Sequence, residues 1–211
     1  MGELAVGDES AKKDALVARL REIGVGRGSP TRAVVFAERV ATLGWLREHL
    51  CAQSKLPHEA VVILHGGLSD EDQQNVVESF KQEQSKIRVL VTGDVASEGV
   101  NLHLQCHELI HFDIPWSLIR IEQRNGRIDR YGQRHRPQIT TLLLDPGHER
   151  FSGDVKVLSK LLEREESAHA ALGDAASRDR FQREASQTGW PSGDSPCVRS
   201  TAVVFQQARP W

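Results

Sequence analysis

Gln123-Arg-Asn-Gly-Arg-Ile-Asp-Arg130, continued by Tyr131-Gly-Gln133, is the most informative stretch of this 211-residue chain. It is predicted to lie on a helix that starts at Pro115-Trp116-Ser117 and runs to about Tyr131. On such a helix Arg120, Gln123, Arg127 and Arg130 fall three and four residues apart and share one face. Leu118, Ile121 and Ile128 fall on another face, suited to packing on a sheet. Arginines held in a row on a packed helix suit one task well, the gripping of phosphate oxygens by forked, permanently charged donors. The same pattern also fits a solvated, salt-bridged helix face.

Upstream, the chain alternates short apolar runs with helical periodicity. Ala33–Ala37 (AVVFA), Ala60–Leu64 (AVVIL), Ile87–Val91 and Glu108–Phe112 (ELIHF) read as strands, and Gln138–Leu144 (QITTLLL) adds a fifth. Continuous rather than alternating apolarity marks strands covered on both faces. Between them, Val40, Leu43, Leu46 and Leu50 keep helical spacing, as do Val76, Val77 and Phe80 after the cap residue Ser69 and the acidic first turn Asp70-Glu71-Asp72. A helix from Ser10 to Ile23 precedes the first strand, behind a frayed start at residues 1–9. Strands alternating with helices predict a parallel α/β sheet with helices on both faces. Ligands of such sheets bind beyond the carboxyl ends of the strands, here the loops after Leu64, Val91 and Phe112.

Composition sets the outer limits. Apolar residues make up 39% and charged residues 27%, and the formal net charge of −2 restricts any nucleic-acid site to a local patch. No apolar run approaches the roughly 18 residues of a membrane span. The first ten residues lack a signal-peptide pattern. Three cysteines without a C-x-x-C pair speak against a disulfide framework and fit a reducing cytoplasm. A long amphipathic helix is predicted over Asp154 to about Leu172, with Val155, Leu158, Leu161, Leu162 and Ala168 buried. After Gly173 the composition shifts to Gly, Ser, Asp, Pro and Gln.

Two further stretches carry ligand-binding character. Thr92-Gly-Asp-Val-Ala-Ser-Glu-Gly-Val-Asn-Leu102 follows a buried strand and offers small residues where a backbone can approach a ligand. His65-Gly66-Gly67 ends the second strand. Taken with the arginine stretch and in this order, they resemble the second RecA-like domain of superfamily 2 helicases and translocases, in particular the bacterial Swi/Snf-like ATPases. AVVFAERVATLGWL resembles motif IV, GDVASEGVNL motif V and QRNGRIDRYGQ motif VI, with FDIPW before it also typical. The resemblance spans about residues 30–145.

The resemblance implies a RecA-like fold with a C-terminal helical extension. It divides the chain into an N-terminal helix and linker (1–29), a RecA-like domain (30–150), the extension (151–173) and a weakly ordered tail or start of a further region (174–211). It also implies roles. Arg127 and Arg130 match arginine fingers directed at the γ-phosphate of ATP. Gln123, Glu98, Gly99 and Asn101 match positions near the nucleotide. His65, Gly66, Thr92 and Gly93 match the loops that grip a nucleic-acid backbone. Gly93 replaces a phosphate-touching Thr or Ser, and Gln73 stands where a basic residue is common. ATP and Mg2+ would be held mainly by a first RecA-like domain, since no G-x-x-x-x-G-K-[ST] loop or D-E-x-[HD] box occurs in these residues. On this reading the chain alone is inactive, its partners are that first domain and a nucleic acid, DNA ahead of RNA, and no membrane or resident metal is involved.

Other patterns give way to plainer explanations. Gly24-Val-Gly-Arg-Gly28 precedes a strand instead of following one, as a linker would. His103, His107 and His111 are spaced by four, but the last lies in a predicted strand, so they do not form a metal-binding helix face. Glu163–Glu166 fits a solvated helix face. The rival functions are a non-catalytic nucleic-acid or partner-binding RecA-like module, and half of a sugar-nucleotide enzyme.

Overall fold

The computed structural model describes residues 3–94, 100–145, 201–208 and, between 154 and 163, residues 154, 156, 157, 159–161 and 163; for 3–10, 145 and 201–208 it is the backbone that is described. In chain order the elements are α1 (Glu3–Glu22), β1 (Ala33–Phe36), α2 (Val40–Ser54), β2 (Val61–Leu64), α3 (Asp70–Lys81), β3 (Val89–Thr92), β4 (Glu108–His111), α4 (Leu118–Asn125), β5 (Gln138–Asp145) and β6 (Thr201–Ala208). The strands form one sheet in the order β2-β3-β1-β4-β5-β6. The first five are parallel, with Phe36 aligned to Thr92 on one side and to His111 on the other. This is the expected RecA-like arrangement.

The apolar runs explain the order. β1, β3 and β4 are buried throughout and occupy the middle of the sheet. Alternate residues of each strand feed opposite faces. Val35, Val89, Val91 and Ile110 meet Leu16 and Leu20 of α1 and Leu43, Leu46 and Leu50 of α2. Val34, Phe36, Leu90 and Leu109 meet Val77 and Phe80 of α3, together with Leu102 and Ile128. Each such fully buried leucine or phenylalanine contributes about 1.5–3 kcal/mol.

α1 begins at Glu3, so the start expected to be frayed is helical. The helix belongs to the same core and is tied to the sheet by buried cations. Lys12 donates to Phe112 O at 3.1 Å and pairs with Asp154, while Arg19 donates to Thr140 Oγ1 at 3.2 Å and to Glu108 Oε2 at 3.4 Å. The cap of α3 forms as expected, with Ser69 Oγ accepting from Asp72 N at 3.1 Å.

One expectation changes and another gains detail. The helix after Pro115 stops at Asn125, six residues short of Tyr131. Beyond Gly126 the chain tightens into turns, with Arg127 N donating to Arg124 O and Ile128 N to Asn125 O. The carbonyls downstream are claimed from outside, Arg127 O by Leu102 N at 3.0 Å and Ile128 O by Gln133 Nε2 at 2.9 Å. The apolar face therefore divides: Leu118 and Ile121 pack with Ile114, Leu143, Leu161 and Val157, whereas Ile128 enters the core beneath α3. The second point lies in the stretch expected to be a weakly ordered tail or the start of a further region, where β6 adds antiparallel to β5 over eight residues. Of the expected helix 154–172, the described residues between 154 and 163 are helical and Leu161 is buried; Val155, Leu158, Leu162 and Ala168 lie outside the described residues.

Candidate functional site

The carboxyl ends of β2, β3, β1 and β4 point to one edge of the sheet. Arg124, in the last turn of α4, reaches across that edge. Its Nε and Nη2 both donate to Asp94 just past β3, the latter at 3.1 Å, and its Nη1 donates to Asp113 O beyond β4 at 2.9 Å. Its guanidinium lies 5.2 Å from the ring centre of Phe36 at the end of β1. One side chain, 2% exposed, thus touches the ends of three adjacent strands. Arg120, one turn earlier, approaches Asp94 at 3.9 Å. The forked pairing neutralises the buried guanidinium and fixes its plane.

The neighbouring residue Asn125 is equally buried. Its Oδ1 lies 2.9 Å from His111 Nε2. Burial pushes the His111 imidazole down to about 4, so the ring is neutral near pH 7 and Nε2 is the donor. The end of α4 is therefore anchored to β4 and to the loop after β3.

Arg127 and Arg130 emerge from this anchor. They do not share a helix face with Arg120 and Gln123, because both lie past the helix end. Arg130 is exposed and donates through Nη1 to Asn101 Oδ1. Arg127 is half-buried, held by its carbonyl to Leu102 N. The structure thus brings Arg127 and Arg130 together with Asn101. Gly132 adopts φ +92, and a side chain there would face His103 Nε2. Burial, with Arg130 nearby, lowers the pKa of His103. Gln123 is exposed on α4. Glu98 and Gly99 lie outside the described residues.

The other expected group assembles around β2 and β3. Leu64 is aligned with Thr92, and Gly93 N donates to Leu64 O at 3.4 Å, which sets Gly93 beside the His65 turn. His65 Nδ1 accepts from Gly67 N at 3.0 Å. A Cβ at Gly67 would stand 3.0 Å from that nitrogen, so a larger residue there requires the His65 ring to shift. Gly66 is exposed and His65 half-buried. Thr92 is fully buried, and its hydroxyl donates to Gly93 O at the strand end.

Arg124, Asp94 and the His111–Asn125 pair were not singled out from sequence. The available signal was an aspartate placed directly after a buried strand in a chain whose richest helix is basic. Among the described residues no group of three or more His, Cys, Asp and Glu could hold a metal ion, and no helix is long and apolar enough to cross a membrane.

Comparison with known proteins gives one family match, to the helicase conserved C-terminal domain over residues 12–132. The RNA polymerase-associated protein RapA of Pseudomonas putida is 31% identical over 109 residues, 52% of this chain and 11% of RapA. The DEAD-box ATP-dependent RNA helicase 35A of Oryza sativa subsp. japonica is 33% identical over 147 residues, 66% of this chain and 22% of that protein. The C-terminal part of the Fun30 ATPase domain matches in fold with a TM-score of 0.54 and 24% identity, over 62% of this chain and 40% of that one. The chain thus spans between about a tenth and a quarter of the length of these curated relatives.

Proposed function

The chain belongs to the helicase conserved C-terminal domain family, and we propose that it serves as the second motor domain of an ATP-dependent translocase or helicase acting on DNA. The observation that carries this reading is the Arg124 clamp. It fixes the end of α4 against the ends of β1, β3 and β4, and so sets the two following arginines at a defined place beside Asn101. Forked cations on a braced turn suit the phosphates of a nucleotide presented from another domain.

In this proposal Arg127 and Arg130 stabilise charge on the γ-phosphate, the role for which an arginine finger is worth about 10³–10⁵ in rate. Bound ATP supplies the phosphoryl bond whose cleavage drives the motion. Gln123, Asn101, Glu98 and Gly99 contribute to the nucleotide side of the cleft. The acidic ligands for Mg2+ come from the first domain. His65, Gly66 and Gly93, adjacent at the ends of β2 and β3, hold the nucleic-acid backbone through main-chain groups, with Thr92 behind them. The similarity to RapA supports the Swi/Snf-like assignment and hence DNA. The rice relative is named as an RNA helicase, which makes RNA the competing substrate.

The test is ATP hydrolysis by this chain alone and by the chain joined to a Walker A-bearing first domain, each with duplex DNA or RNA. The expected result is no turnover alone and DNA-stimulated turnover when joined. Turnover by the repurified chain alone would overturn the division of labour, and stimulation by RNA but not DNA would overturn the substrate.

A further inference from the structure

A cavity of about 370 Å3 opens at the opposite edge of the sheet, where β1, β4 and β5 begin. Its chemistry is cationic. Arg32, directly before β1, is 4% exposed; Nη1 donates to Phe80 O, Nη2 donates to Gln82 O and Glu83 O, each at 2.7 Å, and the guanidinium lies 5.7 Å from the ring centre of Phe80. Its Nε is buried without a partner. No carboxylate forms an ion pair with it among the described residues; burial and, after it, the charge of Arg88 lower its pKa, while the charge of Glu83 opposes them. A buried guanidinium satisfied by carbonyls and without an ion pair leaves a positive field at the cavity wall, which favours an anion beside it.

The rim continues the pattern. Arg134 is exposed and forms no ion pair among the described residues. The rings of His107 and His135 lie 4.9 Å apart, both lining the cavity. Glu83 is the one acid in the lining among the described residues, and the exposed Leu104 gives it an apolar wall. Cys106, also in the lining, is not a nucleophile. Its thiol lies 3.2 Å from both Arg32 O and Glu108 O, and burial pushes it up to about 12. The site is therefore built for binding and not for covalent chemistry. The volume falls in the range of small-molecule pockets, roughly 300–1,000 Å3.

We propose that this cavity binds a small phosphorylated ligand, its phosphate oxygens met by Arg134, His135 and His107 beside the buried Arg32, and its apolar body packed on Leu104. The site shares no residue with the Arg127–Arg130 group.

The test is calorimetric titration of the full chain at low salt with inorganic pyrophosphate and with AMP. The expected result is saturable one-to-one binding in the range of about 1 mM or tighter. Arg134 and His135 are exposed, so the double variant Arg134→Glu/His135→Glu should keep its melting temperature and lose at least about tenfold in affinity. No saturable binding by either probe, or equal affinity in the variant, would overturn the site. Loss of binding in Arg127→Ala/Arg130→Ala instead would place the ligand in the motor cleft and overturn it as well. Displacement of both probes by a single-stranded oligonucleotide but not by a sugar phosphate would assign the cavity to a strand and overturn the small-ligand reading.

Discussion

Arg124 and Asp94, thirty residues apart in sequence, are joined by a forked ion pair in which Arg124 Nη2 donates to Asp94 Oδ2 at 3.1 Å. This pair ties the end of α4 to the loop that follows β3, and so connects the turn bearing Arg127 and Arg130 with the strand end bearing Gly93. Removing Arg124 takes the forked partner from Asp94, leaving Arg120 at 3.9 Å, and empties a buried site against Phe36. Arg124→Ala is expected to destabilise the fold by about 3 kcal/mol, and Arg124→Lys by less, since an ammonium keeps the charge but not the fork. Urea denaturation of the chain measures both, and an unchanged midpoint for Arg124→Ala would remove the clamp from the argument.

The two arginines beyond the helix are expected to act on chemistry and not on stability. Arg130 is exposed and its contact is with Asn101. In a protein carrying both motor domains, Arg127→Ala and Arg130→Ala should each lower ATP turnover by about 10³ while nucleic-acid binding changes little. Single-turnover hydrolysis with a parallel binding titration separates the two. Normal turnover in both variants would sink the finger assignment.

The turn after β2 should control nucleic-acid binding. Gly67→Ala places a methyl group 3.0 Å from His65 Nδ1 and must displace the ring or the turn. Binding of a short DNA duplex is expected to weaken by about tenfold, with stability altered by no more than about 0.5 kcal/mol at this surface position. Fluorescence anisotropy at two salt concentrations reads the effect, and equal binding by variant and parent would detach this turn from the nucleic-acid track.

Stability should respond to pH through two buried groups of opposite sign. Burial raises Glu108 to about 7 despite Arg19 beside it. The folded state then holds a proton that the unfolded state has lost, so this group makes stability fall as pH rises from about 4.5 to about 7. His111, lowered to about 4, acts in reverse: its contribution is present above about 6.5 and is lost as pH falls toward 4. The two nearly offset each other between pH 4.5 and 6.5. Glu108→Gln is expected to leave stability rising with pH across this window, and His111→Gln to leave it falling. Melting temperatures recorded from pH 4.5 to 7.5 check the signs, and identical profiles for the two variants would refute the opposition.

β6 protects the edge of β5. All eight residues Gln138–Asp145 are aligned with Thr201–Ala208. Deleting residues 201–211 should expose an unpaired edge strand, lower the melting temperature and promote association. Size-exclusion chromatography with light scattering reports the outcome; a monomer of unchanged stability would show that the edge needs no cover.

The sequence by itself determined the sheet and most of its order of elements. Runs such as AVVF and VLVT have no polar alternation and can be buried only between two layers, which selects a parallel sheet with helices on both faces. It also placed small and polar residues directly after those runs, as in His65-Gly-Gly67 and Thr92-Gly-Asp94. The tertiary structure decided where α4 stops. Periodicity carried the helix to Tyr131, but the carbonyls of Arg127 and Ile128 are taken by Leu102 and Gln133, and Ile128 is drawn into the core beneath α3. The hydrogen bond from Leu102 and burial beneath α3, both supplied from distant segments, outweighed local helix propensity, and no local pattern can encode partners so far away. For the same reason Arg124 looked like one basic residue among several. Its forked contact with Asp94 and its contact with Asp113 O exist because the sheet sets β3 and β4 on either side of β1.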